Sequence, residues 1–147
     1  MRPVYGCDDA VARFVADHIP WVTPRGFGEC RAIGVAHGDH LVGGFVFNDY
    51  SPEFGVIELS FAGTDRRWLT RPVLYGMFSY VFDGIGCQMA CSRTPASLSA
   101  AVRIAKAYGF KQVTIPRLFG RNEDGIISTL TVEDWRSNGF HKENIHE

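Results

Sequence analysis

Apolar and polar positions alternate along this chain in two rhythms, and the changes between them mark its elements. In Val56-Ile57-Glu58-Leu59-Ser60-Phe61, residues 57, 59 and 61 fall on one face and Glu58 and Ser60 on the other, the period-2 spacing of a strand. After a polar turn the rhythm changes. Val73, Leu74, Met77, Phe78, Val81 and Phe82 recur at helical spacing and form one apolar stripe, which predicts a helix over 72–82. Thr70 is placed to cap this helix, and Pro72 falls in its first turn, where a missing N–H costs nothing. Asp83-Gly84-Ile85-Gly86 predicts its end.

The remaining elements follow from the same two periods and from punctuation by glycine and proline. Asp8 or Asp9 can cap a first helix that runs to about His18, with Val11, Phe14 and Val15 inward. Residues 21–29 read as a loop in which Trp21 and Phe27 are candidates to line a substrate mouth, the plain alternative being aromatics that pin the loop to the core. Cys30–Ala36 and Leu41–Asn48 read as a hairpin about Gly38-Asp39, and Gly43-Gly44 predicts a bulge or close backbone packing. Cys87–Arg93 reads as a short strand. Thr94 as N-cap and Pro95 as first helical residue then open a helix with Leu98, Ala101, Val102, Ala105 and Tyr108 inward, closed by Gly109. Phe110–Ile115 and Gly125–Val132 pair across a polar loop, Glu133-Asp134-Trp135 begins a last helical turn, and residues 136–147 are expected to be a loose tail. Such an order predicts an α+β fold, a mixed and mostly antiparallel sheet with helices on it, in one domain over 1–147.

Composition narrows the functions available. With 147 residues, 46% of them hydrophobic, the chain can build one domain with its own core. Its net charge of −1, from 15 basic and 16 acidic residues, argues against a nucleic-acid partner bound by phosphate neutralisation. No apolar run approaches the roughly 20 residues of a membrane span, and Met1–Gly6 lacks the apolar core of a signal peptide, so a cytoplasmic protein without a membrane partner is expected. Cys87 and Cys91 on one strand would lie roughly 13 Å apart, too far for a disulfide or a shared metal. Cys7, Cys30 and the histidines at 18, 37, 40, 141 and 146 show no ligand spacing. The cysteines therefore read as small buried hydrophobes, and no metal is expected.

Candidate chemistry concentrates between the central strand and its helix. The turn Thr64-Asp65-Arg66-Arg67-Trp68-Leu69-Thr70-Arg71 sets three arginines beside a helix N-terminus, a combination suited to holding phosphate. A solvated surface turn is the plain alternative. Glu58 is the one acidic residue of the central strand.

These elements, the arginine turn, and Ala105-Lys106-Ala107-Tyr108-Gly109-Phe110 before a strand resemble the GNAT superfamily of N-acetyltransferases, from about Cys30 to Trp135. The C-terminal half is similar to the branch that acetylates ribosomal proteins and protein N-termini. Arg67-Trp68-Leu69-Thr70-Arg71 is similar to a variant in phage and prophage members, which implies host cytoplasm or virion as the location. The resemblance implies helices on both sheet faces and a splayed parallel pair, Val56–Phe61 and Cys87–Arg93. Acetyl-CoA would lie between these strands, touching Phe61, Arg66, Arg67, Trp68, Leu69, Thr70 and Arg71. The chain departs from the family's Arg/Gln-x-x-Gly-x-Gly/Ala turn: Leu69 and Arg71 stand where glycine lets backbone approach phosphate. On the following helix, where the family often carries a serine or tyrosine near the CoA sulfur, stand Leu98, Ala101 and Ala105.

Acetyl transfer needs a neutral amine, and an alkyl ammonium with a pKa near ~10.4 needs a base at neutral pH. The resemblance places Glu58 against the thioester, where partial burial would raise its pKa and suit it to that work. A surface strand residue paired across the sheet is the alternative. The expected function is transfer of an acetyl group from acetyl-CoA to an amine of a protein or small molecule. A non-catalytic binding or structural module of the same fold, such as a phage virion or assembly component, and a ligand sensor are the alternatives. The sequence leaves the acceptor and any homo-oligomer open.

Overall fold

In the computed structural model, which describes residues 1–19, 21–22 and 26–138, the chain runs β1 (Arg2–Val4), α1 (Asp8–His18), β2 (Arg31–His37), β3 (His40–Ser51), β4 (Val56–Gly63) and α2 (Arg71–Ser79). It continues through a π-helical turn (Tyr80–Ile85) into β5 (Met89–Pro95), α3 (Ser99–Tyr108), β6 (Lys111–Ile115), β7 (Gly125–Thr131) and α4 (Val132–Ser137). The strands form one sheet in the order β1-β2-β3-β4-β5-β7-β6. Every neighbouring pair is antiparallel except β4 and β5. This is the mixed α+β architecture expected from the sequence.

Alternation along the strands feeds two cores. Val11, Val15 and Ile19 pack with Ala32 and Val46 on one face. Ile33, Val35, Phe45, Phe47, Ile57 and Leu59 meet Val73, Met77, Phe78 and Trp135 on the other. Burying side chains of this size contributes about 1.5–3 kcal/mol each before entropy is counted.

Several boundaries differ from expectation for identifiable reasons. Strand β1, at the sheet edge, was not expected from its sequence; three residues are too few for periodicity, and Pro3 is tolerated on an edge. Asp8 does not cap α1. It lies inside the first turn, and its carboxylate accepts from Ala32 N–H at 3.1 Å and Arg31 Nη1 at 3.4 Å, tying the helix to β2. Thr94 and Pro95 do not start a helix either: they pair with Ile126 and Gly125 as the end of β5, and α3 begins at Ser99 with no side-chain cap. The predicted stop at 83–86 falls at Gly86, whose φ of 88° ends the chain of helical turns, but α2 itself gives way to a π-helical turn after Ser79.

Two expectations about outlying residues are overturned. Of the cysteines, Cys87 is buried but Cys7 is exposed and Cys30 and Cys91 are half-buried, and Cys87 lies before β5, not on it. Residues 136–138, expected loose, are anchored: Arg136 Nη2 donates to Asp83 Oδ1 at 2.9 Å and Asn138 Nδ2 to Tyr108 O at 3.1 Å. Residues 139–147, including His141 and His146, lie outside the described residues.

Candidate active site

Strands β4 and β5 pair only through Val56–Met89, Ile57–Ala90 and Glu58–Cys91. Beyond that register both run on, β4 to Gly63 and β5 to Pro95, and β5 keeps pairing with β7 along its whole length. The two parallel strands therefore separate toward their C-terminal ends. A cleft of about 280 Å³ opens between them, with Ser60, Phe61, Ser92, Arg93 and Thr94 on its strand walls and Leu98, just before α3, with Ala101 and Ile104 of α3 on its outer side. An irregular end on parallel strands is where open α/β sheets commonly take ligands.

Trp68 divides this cleft from a second one, of about 560 Å³, lined by Asp65, Arg66, Leu69, Leu74, Ile104 and Tyr108. The indole lies flat on the paired glycines Gly43 and Gly63. A Cβ at Gly43 would fall 2.1 Å from Cε3 and one at Gly63 2.2 Å from Nε1. The close packing expected at Gly43-Gly44 is real, and its partners are Trp68 and, for Gly44, Val11 of α1. The register also slips beside it, between Val35 and Ala36.

The turn that opens α2 sets hydrogen-bond donors beside an acidic side chain. Thr70 caps the helix as expected, its Oγ1 accepting from Val73 N–H at 3.2 Å. Asp65 already occupies part of the turn: its Oδ1 accepts from Arg67 N–H at 2.9 Å and Nε at 3.4 Å, and its carbonyl from Trp68 N–H at 3.1 Å. These bonds hold the Asp65 carboxyl below its ordinary pKa. Pro72 has no N–H, and Leu74 N–H goes to Thr70 O. The backbone N–H groups of Leu69 and Thr70 have no hydrogen-bond partner among the described residues, and Arg66 borders the second cleft. These groups fit a phosphate, with fewer donors than a glycine-rich turn presents. Arg67 points to Asp65.

Arg93, on the cleft wall, reaches Glu58, which lines an adjoining pocket with it. Arg93 Nε and Nη2 both donate to Glu58 Oε1 at 3.1 Å; the glutamate side chain is 17% exposed and the arginine 54%. Burial pushes the Glu58 carboxyl above its ordinary value, Arg93 draws it down, and Asp49 of β3 pushes it up again. Burial likewise raises the Cys91 thiol, with Glu58 adding to the effect. Arg93 was not singled out from the sequence, although alternation on β5 puts it on the face of Cys91 and hence of Glu58. Asn48 and Ser60 complete this polar patch.

Tyr108, of α3, is held in the core. Its OH accepts from Trp135 Nε1 at 3.1 Å, its ring stacks on Phe78 at 4.8 Å, and burial pushes its pKa up to about 12. Trp21 lines the cleft and, with Phe27, the adjoining pocket, and both also pack against the core that holds Val11, Val15 and Val46. Leu98, just before α3, and Ala101 were read from periodicity as inward and from the resemblance as near the CoA sulfur; they line the cleft, and Leu98 is 43% exposed.

Comparison with solved structures matches this architecture to acetyltransferases. A protein whose crystal structure is named as that of an acetyltransferase superposes with a TM-score of 0.66 at 15% identity, over 81% of this chain and 68% of that one. The spermidine/spermine N-acetyltransferase SpeG of Vibrio cholerae, in mutant forms, gives 0.66 at 15% identity over 74% and 72%. A dodecameric spermidine N-acetyltransferase from Vibrio cholerae gives 0.64 at 12% over 75% and 69%. No protein-family model and no curated protein sequence matches the chain.

Proposed function

We propose that this protein is an N-acetyltransferase that moves an acetyl group from acetyl-CoA to an amine. The observation that carries this reading is the parting of β4 from β5 just beyond Glu58–Cys91, which makes a cleft that adjoins Glu58 through Arg93 and reaches Leu69, whose backbone N–H has no partner among the described residues. Leu69 and Thr70 N–H, with Arg66 and Arg71, would hold the pyrophosphate. Phe61 and Trp68 would flank the pantetheine arm, and the thioester would lie near Ser60 and Arg93. Arg67, tied to Asp65, would add charge at the turn.

Glu58 is the base in this reading. It takes a proton from the ammonium of the acceptor, the amine nitrogen attacks the thioester carbonyl carbon, a C–N bond forms and the C–S bond breaks. The CoA thiolate leaves and takes up the second proton, which the nitrogen sheds as it becomes an amide, relayed by solvent, and Glu58 returns its own proton to solvent. A carboxylate raised by burial and restrained by Arg93 is poised between accepting and releasing a proton. The chain would act as one domain, since its sheet takes strands from Arg2 to Thr131. Self-association is open to the fold, because a Vibrio cholerae neighbour is dodecameric. The Arg67–Arg71 run supports carriage by a phage or prophage, in host cytoplasm or virion.

A non-catalytic module of the same fold is the second reading. It is favoured by Asp65, which occupies the donors of Arg67, and by the cleft face of α3, which carries Leu98, Ala101 and Ile104 and no proton donor. Release of CoA thiol from acetyl-CoA with a panel of amines separates the two. Amine-dependent release abolished by filling the cleft with Ala101→Trp supports transfer. Release no faster than the protein-free background supports the module.

A further inference from the structure

Beneath the loop that follows α1 lies a pocket of about 330 Å³ with Trp21, Phe27, Asn48, Glu58, Ser60 and Arg93 on its walls. It shares Trp21, Ser60 and Arg93 with the cleft, so a molecule seated here presents its end to the thioester position. Two features of the wall are unfinished. Asn48 Oδ1 is buried and accepts no hydrogen bond among the described residues. Arg93 spends Nε and Nη2 on one oxygen of Glu58, and its Nη1 has no partner among the described residues.

Among the described residues, the charges on these walls are one carboxylate and one guanidinium, 3.1 Å apart. A polycation would meet Arg93, and a simple anion would meet Glu58. Asp49 of β3 adds negative charge on the Glu58 side, and Cys91 of β5 is the other titratable group against that carboxyl. An α-amino acid carries its own ammonium and carboxylate on a single carbon, the same close pairing with the signs exchanged. Its three N–H donors suit Glu58 and the orphan Asn48 oxygen, and its carboxylate suits a guanidinium edge. Trp21, Val22 and Phe27 leave an apolar wall for a side chain.

We propose that the acceptor is a free α-amino acid with an apolar or aromatic side chain, its carboxylate on Arg93 and its amino group between Glu58 and Asn48. This rests on the acetyl-transfer reading and deepens it by naming the substrate class. Arg93 becomes the residue that sets specificity, through direct contact with substrate.

The test compares L-phenylalanine, L-leucine and L-methionine with their primary amides and with spermidine. Both initial rates of acetyl transfer and calorimetric binding without acetyl-CoA are measured. The free acids should exceed their amides in kcat/KM and in affinity by roughly 10–100-fold, the worth of a charge-assisted contact. Arg93→Gln should bring that ratio close to one, and Arg93→Lys should restore part of it; the ratio is insensitive to a general loss of folded protein. Amides or spermidine used as well as the acids would overturn the proposal and leave acetyl transfer standing. Failure of all three amino acids to bind at millimolar concentration would overturn it too. If acetyl-CoA itself does not bind, the transfer reading fails, and the calorimetry still decides whether the pocket takes an amino acid.

Discussion

Trp68 occupies the space that a side chain at residue 63 would need: a Cβ on Gly63 would sit 2.2 Å from the indole Nε1. The turn before α2 is thereby pinned to the sheet by an aromatic ring, which also touches Phe45 at 5.0 Å between centroids. Gly63→Ala should destabilise the protein by about 1–3 kcal/mol, the usual cost of overpacking. In chemical denaturation the loss should shrink when Trp68→Leu is added, because the two changes couple. Additive losses would mean that the ring does not set the glycine requirement.

Glu58→Gln keeps the shape of the side chain and removes the base. It should lower kcat by roughly 10²–10⁴ and leave acetyl-CoA affinity nearly unchanged. Steady-state kinetics and calorimetry on the same preparation check both halves. A fully active variant would move the proton to another group, of which His18, on the cleft wall, is the first to examine.

The pH profile tests Arg93 as the restraint on Glu58. Burial raises the carboxyl above its ordinary value and Arg93 lowers it, so the acidic limb of kcat/KM should lie above the ordinary carboxylate range near ~4.3. Arg93→Gln removes the lowering influence while burial and Asp49 remain. The limb should therefore move to still higher pH, since the base must lose its proton to act. A limb that stays in place, or moves down, would contradict the pairing.

Tyr108→Phe should leave the transfer rate within about twofold while costing roughly 1–3 kcal/mol in thermal unfolding, because Trp135 Nε1 loses its buried acceptor. A large fall in kcat at unchanged stability would instead give the tyrosine hydroxyl a part in protonating the leaving thiolate.

Long periodic segments were legible in the sequence, and short or compensated ones were not. The stripe from Val73 to Phe82, the Gly38-Asp39 hairpin and the Thr70 cap all appear as read, because local spacing and local chemistry suffice for each. Thr94-Pro95 misled, since the same pair can open a helix or end a strand, and partnership with β7 decides it. Leu98 and Ala101 read as inward on α3 because periodicity shows an apolar face but not whether that face meets a core or an open cleft. Glu58 was visible as a lone carboxylate. Its partner was hidden, because Arg93 comes beside it only through the parallel register Glu58–Cys91, a relation across 35 residues that no local pattern encodes.

The central claim is that the space between β4 and β5 takes acetyl-CoA, and calorimetric titration of acetyl-CoA into the protein tests it most directly. Saturable binding at one site per chain is predicted, with ligand at a hundredfold over Kd adding about 2.7 kcal/mol to stability. Binding should be lost in Ala101→Trp, which fills the cleft, and weakened in Arg66→Glu, which reverses charge at its phosphate end. Absence of binding at millimolar acetyl-CoA, or full binding retained by the filled cleft, would contradict the account.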